Sequence, residues 1–361
     1  MHQGISRRKL VGVAGAVAIF GGAPRLVYAQ SADETAALDA IKQYLSGTVD
    51  DLAAGVDALS TWTNQYYDLA NGVQFDYDAL WKANQATLPD QIAEARRIWS
   101  DDAHGNYELA EGIIAGVPAL AQFDVWIDAG PPASEDAANA YAWTLTLPDG
   151  TAMDKPGNLF HTLTEQAIWG TNPEFVGLDV DFDSNGSTDV TEALPDANFL
   201  KGSVDALVDA VAQLKQAVAA WLPTLSDLFT ALVVMLPTAG GYFEEWRHSA
   251  YVVGNTSESG NFVGNSRLLD VLGIYHGLGT VWTAVTPIVT AADTGMGGTI
   301  TAGITDLIGF VQNLYDQELA GTRFTTEQAE QFGAEVQQRG DTVAGLVTQA
   351  AALINVELQD L

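Results

Sequence analysis

The chain has 361 residues, no cysteine and a formal net charge of −31. So large an acid excess argues against nucleic acid and anionic membrane surfaces as partners, since both are recognised through basic patches. Without thiols the chain has no disulfides, and any metal site is limited to oxygen and nitrogen donors. The acidity suggests a salty habitat or an attraction for cations.

At the N-terminus, Ser6-Arg7-Arg8-Lys9-Leu10 is a twin-arginine pattern. An apolar run from Val11 to Ala23 comes next, too short for a permanent membrane helix, and Val27-Tyr28-Ala29 suits a signal peptidase. Residues 1–29 are therefore expected to be a cleaved twin-arginine signal. The protein is expected to be periplasmic, extracellular or at the cell surface, with no transmembrane segment in the mature chain. Residues 1–29 hold four basic residues and no acid, so the mature part carries −35.

Helical periodicity dominates the mature chain. Residues 34–70 place Leu38, Ile41, Leu45, Leu52 and Val56 on one side of a long helix. Residues 88–114 predict another, with Pro89 in a first turn and Gly105 as a point of interruption. A Pro/Gly-rich connection at 129–134 ends that section. Tyr141–Leu147 predicts a short strand, and 158–169 is helical again. Further helices are predicted at 197–222, 224–248, 264–291 and 297–320, with Pro237 and Pro287 dividing or kinking two of them. Thr325-Thr326-Glu327-Gln328 opens a last helix over 325–360 in the manner of a capping box. The fold class expected is all-α: two four-helix bundles, an N-terminal one at 30–175 and a C-terminal one at 197–361, joined by an acidic linker at 176–196.

The linker reads DVDFDSNGSTDVTE and fits the calcium-loop pattern D-x-[DN]-x-[DN]-G-x5-E. Asp181, Asp183, Asn185, the Ser187 carbonyl, Asp189 and Glu192 fall on the oxygen-donor positions, with Gly186 at the turn. Thr188 stands where paired EF-hands carry an aliphatic residue, and the flanks lack clean amphipathic helices. A single calcium loop is expected.

The stretch NLFHTLTEQAIWG (158–170) places His161 and Glu165 four apart, about 40° apart around a helix. Such a pair either shares a metal or forms a side-chain hydrogen bond. His104, seven before Glu111, shares that residue's face if the helix runs unbroken through Gly105, but the favoured reading is an exposed helix histidine. His248 reads as a ligand in a cleft between bundles or as a packed histidine. His276, in an apolar helix, reads as structural. No G-x-S-x-G elbow, P-loop, dinucleotide fingerprint or H-E-x-x-H occurs.

The segments ARRIW (95–99), Tyr107-Glu108, Glu111, FDVWIDAG (123–130), DKPGNLFHTLTEQAIWG (154–170), EEWRHSAYVVGN (244–255) and SRLLDVLGIYHGL (266–278) succeed one another along most of the mature chain. In this order the series resembles the imelysin-like family: exported, helical proteins of two four-helix bundles, among them metallopeptidases, iron-regulated proteins and the periplasmic component of ferrous-iron uptake systems. The resemblance implies a metal site built on the family's G-x-H-x-x-E signature. Glu165 stands four before Trp169-Gly170, as in the signature. His161, however, is four rather than three before Glu165, Leu159 replaces the glycine, and Thr162 fills the histidine slot. One extra residue turns a side chain by about 100° in a regular helix. A π-bulge would absorb it, and such bulges favour functional sites. Glu111 and Asp128 match acidic positions of the family, with Glu108 as a substitute. The function this implies is capture of iron or another divalent transition metal, free or chelated, with an envelope protein as a further partner. The alternatives are an imelysin-type metallopeptidase and an interaction protein that has lost the site.

Overall fold

A computed structural model describes residues 31–360, apart from 189–190, 255–256 and 258–259. The signal-peptide segment and Asp189 of the calcium-loop pattern lie outside the described residues. The fold is all-α, with two small two-stranded ribbons.

Helix α1 (Ala32–Gly72) buries Leu38, Ile41, Leu45, Leu52 and Val56, the stripe its sequence predicts, and Ser31 caps it by accepting from Glu34 N–H. After α2 (Tyr77–Asn84), the 88–114 stretch runs on without a break at Gly105. It passes from α3 (Leu88–Arg97) through a π segment (Ile98–His104) into α4 (Gly105–Ile114). A second π segment (Val125–Ala129) comes after the short α5 (Ala121–Asp124), and α6 (Ala133–Asp136) is a single turn. Strand β1 (Thr144–Thr146), inside the predicted 141–147, pairs antiparallel with β2 (Ala152–Asp154). A third π segment (Leu159–Glu165) leads into α7 (Gln166–Trp169). The acidic linker is the tip of a hairpin between β3 (Val176–Asp179) and β4 (Ala193–Pro195), which sequence periodicity did not predict.

Helix α8 (Ala197–Ala220) lies along α1 in the most extensive helix pair of the protein. The division at 176–196 therefore does not match the packing: α8 belongs with the N-terminal helices. In the second bundle, α9 (Leu225–Met235), a 3-10 turn at Leu236–Thr238 that contains Pro237, and α10 (Ala239–His248) form one arm. After α11 (Ala250–Val253), α12 (Arg267–Ala292), α13 (Thr294–Leu319) and α14 (Thr326–Leu353) complete it. The capping box of Thr325 and Gln328 opens α14 as read from sequence. Leu225–His248 and Arg267–Ala292 are long and apolar enough to cross a membrane, and more than half of each is buried inside the protein.

The bundles meet where α12 packs on α4 and α1. Close approach depends on glycine, both there and inside the first bundle. A Cβ on Gly277 would fall 2.4 Å from Leu109 O, and one on Gly55 of α1 would fall 2.0 Å from Asp102 O in the first π segment. Gly55→Ala is expected to destabilise the protein by about 1–3 kcal/mol through overpacking. Gly47→Ala, with open space around it, is expected to be neutral or stabilising by up to about 1 kcal/mol. Denaturant unfolding of the two variants measures the contrast.

Candidate metal centre

Three of the helical stretches widen into π geometry, and each delivers a side chain to one point in the seam. The first ends at His104, the second carries Asp128, and the third carries His161 and Glu165. Asn158 caps the third segment, accepting from His161 N–H (2.8 Å) and Thr162 N–H (3.1 Å), while its Nδ2 donates to Gly130 O (3.1 Å). One asparagine thus fastens the Asp128 segment to the His161 segment. Trp99 stacks on the His104 ring with centroids 4.6 Å apart and donates from Nε1 to Thr164 Oγ1 (2.8 Å).

The Leu159–Glu165 segment that carries both His161 and Glu165 is π-helical. His161 Nδ1 meets Glu165 Oε2 at 2.8 Å. Glu165 also accepts three successive backbone amides, Phe262 (3.0 Å), Val263 (2.8 Å) and Gly264 (2.8 Å). Both its oxygens are therefore engaged. Expected as a ligand, it instead holds the imidazole at Nδ1 and leaves Nε2 to face the cluster, as carboxylates behind metal-binding histidines do.

Around that Nε2 the donors converge. His161 Nε2 is 3.2 Å from His104 Nε2 and 3.1 Å from Asp128 Oδ1. His104 Nε2 is 3.0 Å from Glu108 Oε1 and 3.4 Å from Asp128 Oδ1. Two imidazoles and two carboxylates from four segments thus share one small volume, and each of the four residues is at most 2% exposed. His104 corrects the sequence reading that favoured an exposed histidine: the π segment turns it inward, under Trp99. On its Nδ1 side stand Asn265 Nδ2 (3.2 Å) and Asp270 Oδ1 (3.8 Å).

Glu111, also buried, accepts the Tyr242 hydroxyl and groups with Glu108 and Asp128. Arg267, buried beside the cluster, binds Asp270 (2.6 Å) and Glu245 (2.9 Å) and lies 3.3 Å from His161 Nε2. It stacks between Phe262 and Tyr242. Sequence reasoning missed Asp270, Arg267 and Asn265. The available signal was a charged pair three apart, Arg267 and Asp270, opening an otherwise apolar helix.

His248 is not brought to the cluster. It is exposed, close to Glu244 (3.3 Å), at the rim of a cavity of about 840 Å³ whose inner wall includes Asp128, His161 and Arg267. His276, read as structural, is exposed on α12. In the hairpin tip, Asp181 accepts Gly186 N–H (2.8 Å) and Asn185 N–H (3.1 Å), Glu192 accepts Phe182 N–H (3.1 Å), and Ser187 donates to Asn185. Asp181, Asp183 and Glu192 each bring an oxygen within 4.8 Å of the others. Arg96 ties this loop to the helix behind the cluster, donating to Thr191 O (2.6 Å) and Ile168 O (3.3 Å).

The Imelysin family model (Peptidase_M75) matches residues 28–353. The chain belongs to the imelysin family. No curated protein matches it closely enough to count as a relative.

The residues present fit a divalent metal. Glu108 Oε2 is enclosed and accepts no hydrogen bond among the described residues, a costly state for a buried carboxylate unless a cation completes it. A metal about 2.0–2.2 Å from its ligands sets neighbouring donors about 3.0–3.5 Å apart, which is the spacing of the four donor pairs given above. Imidazole and carboxylate without thiolate suit iron, zinc or manganese.

Protons compete for the same atoms. Burial alone would lower the His104 pKa, but Glu108, Asp128 and Asp270 outweigh it and raise the value to about 10. Burial and the Asp270 charge push Glu108 up to about 7. For His161, burial is likewise outweighed by Asp128 and Glu165, and the pKa is raised. At neutral pH the metal-free cluster holds protons that a metal must displace, so affinity rises with pH. From pH 6 to 8 the dissociation constant is expected to fall about tenfold per pH unit for each proton released, read by titration calorimetry in buffers of different ionisation enthalpy. Glu165→Gln, which leaves the four donors in place, is expected to weaken binding by about 10–100-fold without abolishing it, measured by the same titration.

Proposed function

We propose that this imelysin-family protein is an exported metal-binding protein that captures iron, or another divalent transition metal, in the seam between its two bundles. The observation that carries the reading is the set of four buried donors, His104 Nε2, His161 Nε2, Glu108 Oε1 and Asp128 Oδ1, in which His104 lies 3.0 to 3.4 Å from the other three and His161 3.1 Å from Asp128. The cavity beside Asp128 and His161 supplies an entry route, and Glu244 and Glu330 at its rim favour a cation. Export rests on the twin-arginine pattern of residues 6–10.

Capture is favoured over peptide hydrolysis by the state of Glu165. A hydrolase of this type needs a carboxylate free to take a proton from water. Here Glu165 is held by the His161 ring and three amides, and burial is outweighed by these donors so that its pKa is lowered.

A second, separate reading concerns calcium. The oxygens of Asp181, Asp183 and Glu192 gather at the hairpin tip around Gly186, whose φ of +92° is what the turn requires. Calcium there would stiffen the hairpin that Arg96 joins to the helix behind the metal centre.

One experiment tests both. The mature protein is purified without chelator and incubated with ferrous, manganous, zinc and calcium ions. It is then desalted, and the metal per chain is counted by mass spectrometry. A transition metal is expected in the wild type and lost in His104→Ala and in His161→Ala, while calcium is lost only in Asp181→Ala. A wild type that retains no transition metal overturns the capture reading. Metal-dependent cleavage of a protein substrate that vanishes in His161→Ala makes the protein a peptidase instead.

A further inference from the structure

The buried acid around the four donors exceeds what one divalent ion neutralises. Glu108, Glu111, Asp128, Glu165 and Asp270 are each at most 2% exposed, and Arg267 is the one buried guanidinium among them. Glu165 is satisfied by the His161 ring and three amides, which leaves Glu108, Glu111, Asp128 and Asp270 against Arg267. With both imidazoles neutral, as metal ligands require, that is three negative charges in excess. One divalent cation leaves one of these uncompensated in a medium where unpaired charge is strongly disfavoured.

The geometry supplies a place for it. Glu108, Glu111 and Asp128 each bring one oxygen within 4.8 Å of the others, and His104, Glu108, His161 and Asp270 form a second such group. Glu108 belongs to both. Its Oε1 lies 3.0 Å from His104 Nε2, while Oε2 is enclosed and accepts no hydrogen bond among the described residues. Glu108 and Glu111 are three apart on α4 and so share a face of that helix. Tyr242, from the second bundle, donates its hydroxyl to Glu111 Oε1 and so orients that carboxylate.

We propose that the cluster is a dinuclear centre, in which a second divalent cation sits among Glu108, Glu111 and Asp128 and Glu108 bridges it to the cation held by the two histidines. The inference rests on the metal-binding reading above and adds the second ion. Carboxylates shared between facing helices hold metal pairs in this way in other helical bundles, with the two ions about 3.5–4 Å apart. The two positions differ in chemistry. The first offers two imidazole nitrogens and two carboxylates. The second offers oxygen alone and so favours the harder ions, manganous and ferrous, over zinc.

The test uses the full mature chain carrying Asp181→Asn and Asp183→Asn, which blanks the hairpin tip, loaded with manganous ion alone. About two manganese per chain are expected, with the electron paramagnetic resonance spectrum of a spin-coupled pair. Glu111→Gln in that background is expected to fall to about one, with the spectrum of an isolated ion. One manganese per chain where Glu111 is intact, with an isolated-ion spectrum, overturns the dinuclear proposal and leaves the metal-binding reading standing. None at all overturns both. Two ions with no magnetic coupling, or two retained after Glu111→Gln, also overturn the shared-carboxylate centre.

Discussion

Glu165 is the joint on which the centre depends. It is fully buried, and it is tolerable there because four donors satisfy it: the His161 ring and three consecutive amides of residues 262–264. The amides belong to the loop that opens α12, so this one carboxylate ties a segment of the first bundle to the start of a helix in the second. It also fixes the His161 ring, since the nitrogen it engages is Nδ1 and the one left over is Nε2. Asn265, Arg267 and Asp270 come within six residues of the clasp and are positioned by it. Phe262 adopts a φ of +61°, a conformation that side chains rarely take, and it does so where the loop turns its amides toward Glu165.

The π segments do the rest. A π turn has poorer backbone geometry than an α turn and persists where surrounding contacts over-determine it. In the third segment Thr164 Oγ1 donates back to Leu159 O (2.8 Å) and receives Trp99 Nε1, so side chains support the widened backbone. In the first, the segment packs on α1 at Gly55, where no larger residue fits. Each widening shifts the helical phase, and each shift brings a titratable side chain into the seam that a regular helix would point elsewhere.

Family membership establishes the helical architecture, while chemistry resides in the site. His161 and Glu165, four apart in the chain, meet within a π segment. His104 and Asp270 join from other segments, and Glu165 stands behind the histidine. The result is a buried, nitrogen-and-oxygen donor set beside a cavity with acids at its rim. That combination suits holding a cation better than presenting a base to water. Arg267 balances part of the acid from within, clamped by Asp270 and Glu245 and sandwiched by aromatic rings, and its own charge is secure because these neighbours outweigh its burial.

The all-α class, the buried stripe of α1, the capping box of α14, the family, and the adjacency of His161 and Glu165 are legible in the amino-acid order. The family shows as the resemblance of a series of segments, and the rest is written in local spacing: apolar residues at helical intervals, a Thr and a Gln three apart, a histidine and a glutamate four apart. The composition of the buried His/carboxylate cluster is not written there, because it is set by packing. Whether His104 is exposed or buried depends on a change of helical phase that Gly55 and Trp99 permit, not on the residues flanking it. That Arg267 and Asp270 meet the histidines depends on α12 crossing α4 at Gly277. That α8 belongs with α1, across the acidic linker, depends on which apolar faces meet. Periodicity reports that a helix has a face to bury, but the partner of that face, and the charges enclosed with it, result from packing between segments far apart in the chain.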